Sequence, residues 1–405
     1  MTRILLTDSM NAPGSRAVFA ALEARGGKGC VRFVGGCVRN VLLGVPGSDL
    51  DLSTQLAPDD TEAALEAAGI RNVPTGKDYG TITAVVDGEP YEITSLREDV
   101  ETDGRRAVVK YTTDWAKDAE RRDFYVNALY ADIDGQVYDP TGHGLDDIAA
   151  RRVRFIGEAE SRIREDYLRI LRFFRFTAGY AAGIDPGSLD ACIALQAGID
   201  GLSGERIFGE TFKTLALADP LPAFEAMQAG GLLARVLPGW TLTGDRLPEL
   251  KAMVAISDDP ERRLMALVDS GLGLEAGDIK ALQGRLKFSQ AICERLIKAG
   301  EVIGHLEAAE AGDIARLIYR HGRPAVEDAV LLAAAHDDRR PGVLMQLIGE
   351  LDVPVFPLKG ADLIKLGLQP GPELGQRLKQ IEADWLAADF SQSVIDAALA
   401  GPPRV

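Results

Sequence analysis

The 405-residue sequence has only four cysteines, Cys30, Cys37, Cys192 and Cys293, and no two stand at CxxC spacing. That leaves no cysteine zinc site and no disulfide framework, only buried or reduced thiols. Histidine is equally sparse. His143, His305, His321 and His336 show no HxxxH and no paired His-Asp spacing of the kind a metal-dependent phosphohydrolase needs, and His336-Asp337-Asp338 reads as a helix end. Without a Gly-x-Gly-x-x-Gly or a Walker lysine motif, dinucleotide enzymes and P-loop ATPases drop out. No apolar run is long enough to span a bilayer and no signal-peptide pattern opens the chain, so the expected setting is cytoplasmic, with no membrane role. Positive charge is also in deficit: a net charge of −16 excludes nucleic-acid binding through an overall positive field and leaves such binding to a local patch. The clearest basic island runs from Arg151 to Phe176, with eight arginines against four acids. The length is enough for two or more domains with a substantial core.

What the sequence does contain is concentrated in Phe33 to Thr54, FVGGCVRNVLLGVPGSDLDLST. An apolar strand (Val31, Phe33, Val34) meets a turn at Gly35 and Gly36, a short helix runs from Cys37 to Gly44, and a second strand carries Asp49 and Asp51. Carboxylates at i and i+2 of a strand share a face, and Leu50 and Leu52 turn to the core. Such a pair suits Mg2+, which takes a few oxygen ligands and completes its shell with water and substrate phosphates. The glycines let backbone approach a phosphate, the helix start offers free N–H groups and a positive dipole end, and Arg39 stands on its first turn. Taken singly, the Gly-Gly turn is an ordinary tight turn and Asp-x-Asp is solvated charge or a cap. Their conjunction in one strand-helix-strand unit points to metal-dependent nucleotide chemistry.

Along the chain, Arg16 to Ala24 forms an amphipathic helical lead-in and Pro58 to Ala68 a helix. Alternation on both sides of Asp87-Gly88 predicts a hairpin within Gly76 to Leu96. Its second strand carries Glu92, a candidate third carboxylate for the metal, with a surface ion pair as the competing reading. Residues 97 to 120 are polar, contain Gly104 and lack periodicity, which predicts a mobile loop. Asp134-Gly135 marks another hairpin behind Arg121-Arg122-Asp123. In Glu165 to Phe176, at about 100° per residue, Tyr167, Ile170, Leu171 and Phe174 fall on one arc. Arg169, Arg172 and Arg175 fan across the other, with Asp166 at their edge. That fan serves either as a solvated face or as a set of guanidiniums for phosphates and base edges. Ser203 to Leu217 predicts a further helix with Ser203 as N-cap, followed by helical segments broken by Pro220, Pro222, Pro238 and Pro260.

GGCVRNVLLG followed by SDLDLST resembles the nucleotide- and metal-binding opening of class II nucleotidyltransferases, the bacterial tRNA CCA-adding enzymes and poly(A) polymerases. RRDFYVNAL and EDYLRILRFF resemble two further motifs of that family. The resemblance implies an α+β fold: a DNA polymerase beta-like head over residues 1–150, a helical neck over 151–235 with a nucleotide-templating helix, a helical body over 236–345 and a tRNA-binding helical tail over 346–405. It implies Asp49 and Asp51 as catalytic ligands of two Mg2+ ions. Nucleotide contacts would come from Gly35, Gly36, Arg39, Arg122 and Asp123, supported by Asn127. Asp166 and Arg169 would meet the Watson–Crick edge of CTP or ATP beside Glu165, with Arg172 and Arg175 on the triphosphate. Arg97 and the segment after it would help switch nucleotide preference. Lys359, Lys365, Arg377 and Lys379 would meet phosphates of the tRNA elbow, and no protein partner is implied. The reaction so implied adds CMP, CMP and AMP to the tRNA 3′ end. The family pattern usually has Asp where this chain has Asn40, which carries no charge. Poly(A) polymerase, a CC-only or A-only enzyme, a nucleotide-sugar glycosyltransferase built on Asp-x-Asp, and a degenerate RNA-binding module are the alternatives. The absence of a basic tail and the TGKDYGTITAVVDGEPYEITSLR segment favour CCA addition over poly(A) synthesis.

Overall fold

A computed structural model describes residues 2–47, 49–103, 106–237, 247–269, 274–306, 311–337 and 341–400. Ser48, Gly104, Pro238 and Asp338, named above, lie outside the described residues. The chain divides into two units, Met1–Pro238 and Gly239–Val405.

The first unit is built on a seven-stranded sheet in which Arg71–Gly76, Thr81–Val86, Glu89–Ser95, Asp51–Thr54, Val31–Val34, Tyr130–Ala131 and Val137–Tyr138 lie side by side in that order. Helix α1 (Pro13–Gly26) starts with a proline in its first turn and packs Phe19 against Phe33 of β1 (Val31–Val34), ring centroids 4.7 Å apart. Gly35 turns the chain into α2 (Gly36–Leu43), which Gly44 ends in the left-handed conformation that suits a glycine cap. Strand β2 (Asp51–Thr54) follows, so only Asp51 is on the strand. Asp49 precedes it, because pairing begins at Asp51, opposite Glu92. Leu52 is in the core as expected and Leu50 is only half-buried. Helix α3 (Pro58–Ala67) leads to β3 (Arg71–Gly76), β4 (Thr81–Val86) and β5 (Glu89–Ser95). The predicted hairpin is there, and Asp87 and Gly88 both take positive φ, 53° and 87°, which matches the twist of the flanking strands. β5 then pairs parallel with β2, the one parallel ladder among those described.

Residues 97–103 and 106–120 are not the expected loop. They form an antiparallel ribbon, β6 (Arg97–Asp103) with β7 (Arg106–Tyr111), and helix α4 (Trp115–Glu120) capped by Asp114. The ladder is made of backbone groups, so a polar ribbon without apolar alternation leaves no periodic trace in sequence. Glu98 ties it down, accepting from Lys110 and Lys117 at 2.5 Å each. Strands β8 (Tyr130–Ala131) and β9 (Val137–Tyr138) close the sheet as the second predicted hairpin, and α5 (Gly144–Ala149) begins the helical part.

The EDYLRILRFF helix is broken at its start. Helix α6 (Ala159–Glu165) ends at Glu165, Asp166 is extended, and α7 (Leu168–Tyr180) begins two residues later. The Asp166 carboxylate accepts from the Leu168 N–H at 3.1 Å, a local bond that competes with a continuous helix. Tyr167 in this break packs so closely on Gly198 that a Cβ there would come within 1.9 Å of the ring. Phe173 and Phe176 of α7 meet Phe124, with Phe155 completing the cluster at 4.9 to 6.4 Å between ring centroids. Each such buried ring contributes roughly 1.5–3 kcal/mol, so α7 is fixed against the segment that carries Arg121, Arg122 and Asp123. Helices α8 (Pro186–Ala194), α9 (Gly204–Leu215), α10 (Leu221–Ala229) and α11 (Leu233–Val236) complete the unit. Ser203 takes the N-cap position of α9 without a side-chain capping bond.

The described elements of the second unit are helices, from α12 (Leu247–Ile256) and α13 (Pro260–Val268) through α14 (Ala276–Leu286), α15 (Gln290–Ile303), α16 (Ala311–His321), α17 (Arg323–Asp337) and α18 (Gly342–Glu350) to α19 (Gly360–Lys365), α20 (Pro372–Ala387) and α21 (Gln392–Leu399). Trp385 anchors the last helices, with Phe356, Phe390 and Tyr319 around it at 4.9 to 5.7 Å. Fully buried Asp328 binds Arg262 and Arg295, and His336, near the end of α17, bonds Asp269. All four cysteines are free and buried. No helix among the described residues is long and apolar enough to cross a membrane.

Candidate active site

Within the first unit a cleft of about 590 Å³ is lined by Gly35 and Gly36, by Asp49 and Asp51, by the Arg121–Asp123 segment and by α7. Seven arginines face four aspartates around it. Gly35 takes φ 69°, a conformation glycine adopts without strain, while its N–H donates to Leu129 and its carbonyl accepts from the Arg39 N–H. Asp49 and Asp51 stand exposed at the edge. Although Asp51 opens onto the cleft, the surrounding protein removes enough water to push its carboxyl upward. Glu92 and Asp49 push it further, against the pull of Arg122. Such an accumulation of negative charge fits a divalent cation, which relieves it. Glu92 lies opposite Asp51 but lines a neighbouring cavity of about 560 Å³, which also touches Asp49 and Asp51. Among the described residues no three His, Cys, Asp or Glu side chains gather closely enough to form a ready-made metal site. Burial pushes the adjacent Cys37 thiol up to about 11, which removes it as a nucleophile.

The opposite wall is arginine, and its guanidiniums are held from behind. Asp118, fully buried on α4, accepts from Arg121 at 2.6 Å, from Arg122 at 3.0 Å and from the Tyr130 hydroxyl at 2.8 Å. Burial alone would raise its carboxyl, but Arg122 and Arg121 hold it below the usual range. Arg122 also donates to Ser53 of β2 at 3.2 Å, which ties the arginine wall to the metal strand. Asp123 is spoken for as well. Its Oδ2 accepts from Arg172 at 2.7 Å, and its Oδ1 accepts from Asn127 at 3.0 Å and the Phe124 N–H at 2.8 Å. Against its burial, Arg172 and the Asn127 bond hold its carboxyl down. Buried Glu210 on α9 accepts from Arg175 at 2.7 Å.

Arg39, on the first turn of α2, lines the cleft. It is buried, donates to Asn127 and to the Tyr180 hydroxyl, and lies 4.0 Å over the Tyr180 ring. It also donates at 2.9 Å to the Asn40 side-chain oxygen, whose amide nitrogen donates to the Gly47 carbonyl at 2.6 Å. A guanidinium only donates and a carbonyl only accepts, so the neutral amide satisfies both neighbours where a carboxylate would face Gly47 with an acceptor.

Asp166 and Arg169 both line the cleft. Asp166 accepts from Arg206 at 2.7 Å. Arg169 donates to Glu165 at 2.6 Å and to the carbonyls of Arg162 and Arg121 at 2.8 and 3.2 Å. Arg97 lies outside the cleft and donates to the Tyr79 carbonyl at 3.1 Å, while its own carbonyl accepts from Arg121. In the second unit Lys365 pairs with Asp362 at 3.0 Å, and Arg377 and Lys379 are exposed. The cleft therefore gathers Gly35, Gly36, Arg39, Asp49, Asp51, Arg122, Asp123, Asn127, Asp166, Arg169, Arg172 and Arg175. Glu92, Arg97 and Glu165 are left to its surroundings. Sequence reasoning missed Arg121, Arg206, Asp118 and Glu210. Asp118 had a signal, its i,i+3 and i,i+4 spacing to Arg121 and Arg122 on one helical turn. Arg206 meets Asp166, and Glu210 meets Arg172 and Arg175, across helices.

Residues 31–154 match the model of the poly A polymerase head domain, and residues 183–242 that of the probable RNA and SrmB-binding site of polymerase A. The chain is 34% identical over 372 residues to the mitochondrial CCA tRNA nucleotidyltransferase 1 of Danio rerio, covering 90% of this chain and 85% of that protein. It is 30% identical to the CCA-adding enzyme of Limosilactobacillus fermentum, covering 95% and 96%. The fold superposes on the Bacillus stearothermophilus CCA-adding enzyme in complex with CTP with a TM-score of 0.75 at 25% identity, covering 96% of this chain and 97% of that one. The chain thus matches known proteins over nearly its whole length, and it belongs to the CCA tRNA nucleotidyltransferase family.

Proposed function

We propose that the protein adds CMP, CMP and AMP, from CTP and ATP, to the 3′ end of tRNA, with Mg2+ as its metal. The observation that carries this reading is the single cleft in which an aspartate pair faces an arginine wall with Asp166 and Arg169 at one side. Asp49 and Asp51 would hold the metal, which when bound supplies charge neutralisation at the α-phosphate and lowers the pKa of the attacking hydroxyl. The chain's own residues do the positioning. Gly35 and Gly36 bring backbone close to the triphosphate, and the open donors of Arg122, Arg172 and Arg175 hold its charge. The 3′-hydroxyl oxygen attacks the α-phosphorus, the bond to the β-phosphate oxygen breaks, and the arginines stabilise the leaving pyrophosphate without a covalent intermediate. Cytosine and adenine both place an amino donor beside a ring-nitrogen acceptor, the complement of Asp166 as acceptor and Arg169 as donor. Asp123, Asn127 and Arg39 act behind this surface as a brace. The exposed cations of the second unit, Arg377 and Lys379 among them, would meet the tRNA elbow, and the tRNA pool served is cytoplasmic.

The test is incubation of purified protein with Mg2+ and labelled CTP, ATP or both, on tRNA ending before CCA and on an unstructured RNA, read at single-nucleotide resolution. Three additions on tRNA that need both nucleotides support the proposal. One or two additions mean a CC- or A-adding enzyme, long A tracts a poly(A) polymerase, and no addition with RNA still bound a degenerate binding module.

A further inference from the structure

Each member of the base-facing pair is held in place by the residues behind it. Asp166 sits in the two-residue break between α6 and α7, where its carbonyl accepts from the Arg169 N–H at 3.0 Å. One carboxylate oxygen accepts from the Leu168 N–H at 3.1 Å and the other from Arg206 at 2.7 Å. Arg206 is on the first turn of α9, lines the cleft, and leaves about half of its side chain exposed. Arg169 needs no such outside help, since Glu165 and two carbonyls already hold it.

We propose that Arg206 is a positioning residue that sets base selectivity by locking the Asp166 carboxylate. This rests on the reading of Asp166 and Arg169 as the base-reading pair. A carboxylate fixed only through Leu168 rotates about its side-chain bonds and presents its acceptors in several directions. With both oxygens fixed, the remaining lone pairs point one way, and only a base whose amino group lies on that line is accepted. Uracil and guanine put a carbonyl there, which leaves the carboxylate facing an acceptor in a partly desolvated cleft. Rejection by an unmatched polar group depends on its being unable to turn aside. Arg206 thus acts through Asp166 and needs no contact with the nucleotide.

The experiment measures kcat/KM for CTP and UTP on tRNA ending in the first C, and for ATP and GTP on tRNA ending in CC, for the wild type, Arg206→Ala, Arg206→Lys and Arg164→Ala. Arg164 is an exposed arginine paired with Glu160 outside the cleft, so its variant controls for loss of positive charge. Melting temperatures of all four report folding. The expected result for Arg206→Ala is a CTP-over-UTP and ATP-over-GTP ratio lowered about tenfold or more. The melting temperature and the KM for tRNA stay unchanged. Arg206→Lys should fall between, because an ammonium supplies the charge without the planar fork. Equal losses for all four nucleotides would show a plain phosphate contact and overturn the proposal, as would an unchanged ratio in a wild-type-active background. A wild type that adds nothing to tRNA would instead overturn the reading beneath it.

Discussion

The two faces of the cleft solve opposite electrostatic problems. On the strand side, Asp49 and Asp51 stand exposed, and Asp51 is pushed up by lost water and by its acidic neighbours. On the helix side, Arg121, Arg122, Arg172 and Arg175 are each paired to a buried carboxylate before any ligand arrives. The acidic edge is left in a state that a bound cation improves, whereas the arginine wall is assembled in advance and its directions are fixed. Removing a residue from the first face should therefore cost activity and spare the fold, and removing one from the second should cost both.

The largest expected effect is on the acidic edge. Asp49→Ala or Asp51→Ala should lower nucleotide addition about a thousandfold or more. The melting temperature should hold or rise slightly in Asp51→Ala, because Asp51 stands between Glu92 and Asp49. Single-turnover addition and thermal unfolding of the same preparations check this, and a large drop in melting temperature would break the contrast between the faces.

Behind the arginine wall, Asp123→Ala strips partners from Arg172 and Asn127 at once, leaving the half-buried Arg172 with Glu210 at 3.8 Å. The expected cost is about 1–3 kcal/mol of stability, read from urea unfolding, together with a raised KM for CTP and ATP. If stability is unchanged, the brace is not carrying the wall.

Acid sharpens the same comparison. The buried carboxylates of Asp118 and Asp123 are both held below the ordinary range, chiefly by Arg122 and by Arg172 respectively, against the effect of burial. Their folded pKa values lie below the unfolded one of about 4. The stabilisation they give is therefore complete above that value and is lost as pH falls through the folded pKa. Asp123→Asn should be less stable than wild type near neutrality, and the gap should narrow as pH falls below about 4. A gap that widens on acidification would reverse the sign of the Asp123 contribution.

How much of this was legible in the sequence follows the same division. Asp49, Asp51 and the Gly-Gly turn lie within 17 residues of one another on one strand-helix-strand unit, so local spacing was enough to join them. The brace was not legible: Asp123 to Arg172 spans 49 positions and Asp166 to Arg206 spans 40. Periodicity carries no information about which arginine a buried acid will meet across two helices. Spacing says less about Arg39. Its place after the glycines suggests a phosphate ligand, and the structure adds Asn127 and Tyr180 as its partners at the cleft wall. The polar ribbon at 97–111 was missed because its ladder is held by backbone groups, and the α6–α7 break because one carboxylate captured a neighbouring N–H.

The smallest effect tests whether Arg39 belongs to the brace rather than to the ligand surface. Tyr180→Phe removes one hydroxyl acceptor at 2.9 Å and keeps the ring beneath the guanidinium. A neutral bond of this kind is worth about 0.5–1.5 kcal/mol net. The variant should lose about that much stability, with KM for CTP and ATP moved less than about twofold, since Arg39 keeps Asn127 and Asn40. Were Arg39 instead a phosphate ligand steered by Tyr180, the KM would rise severalfold while the unfolding midpoint stayed put. The two readouts move in opposite patterns, so this mild substitution decides which face Arg39 serves.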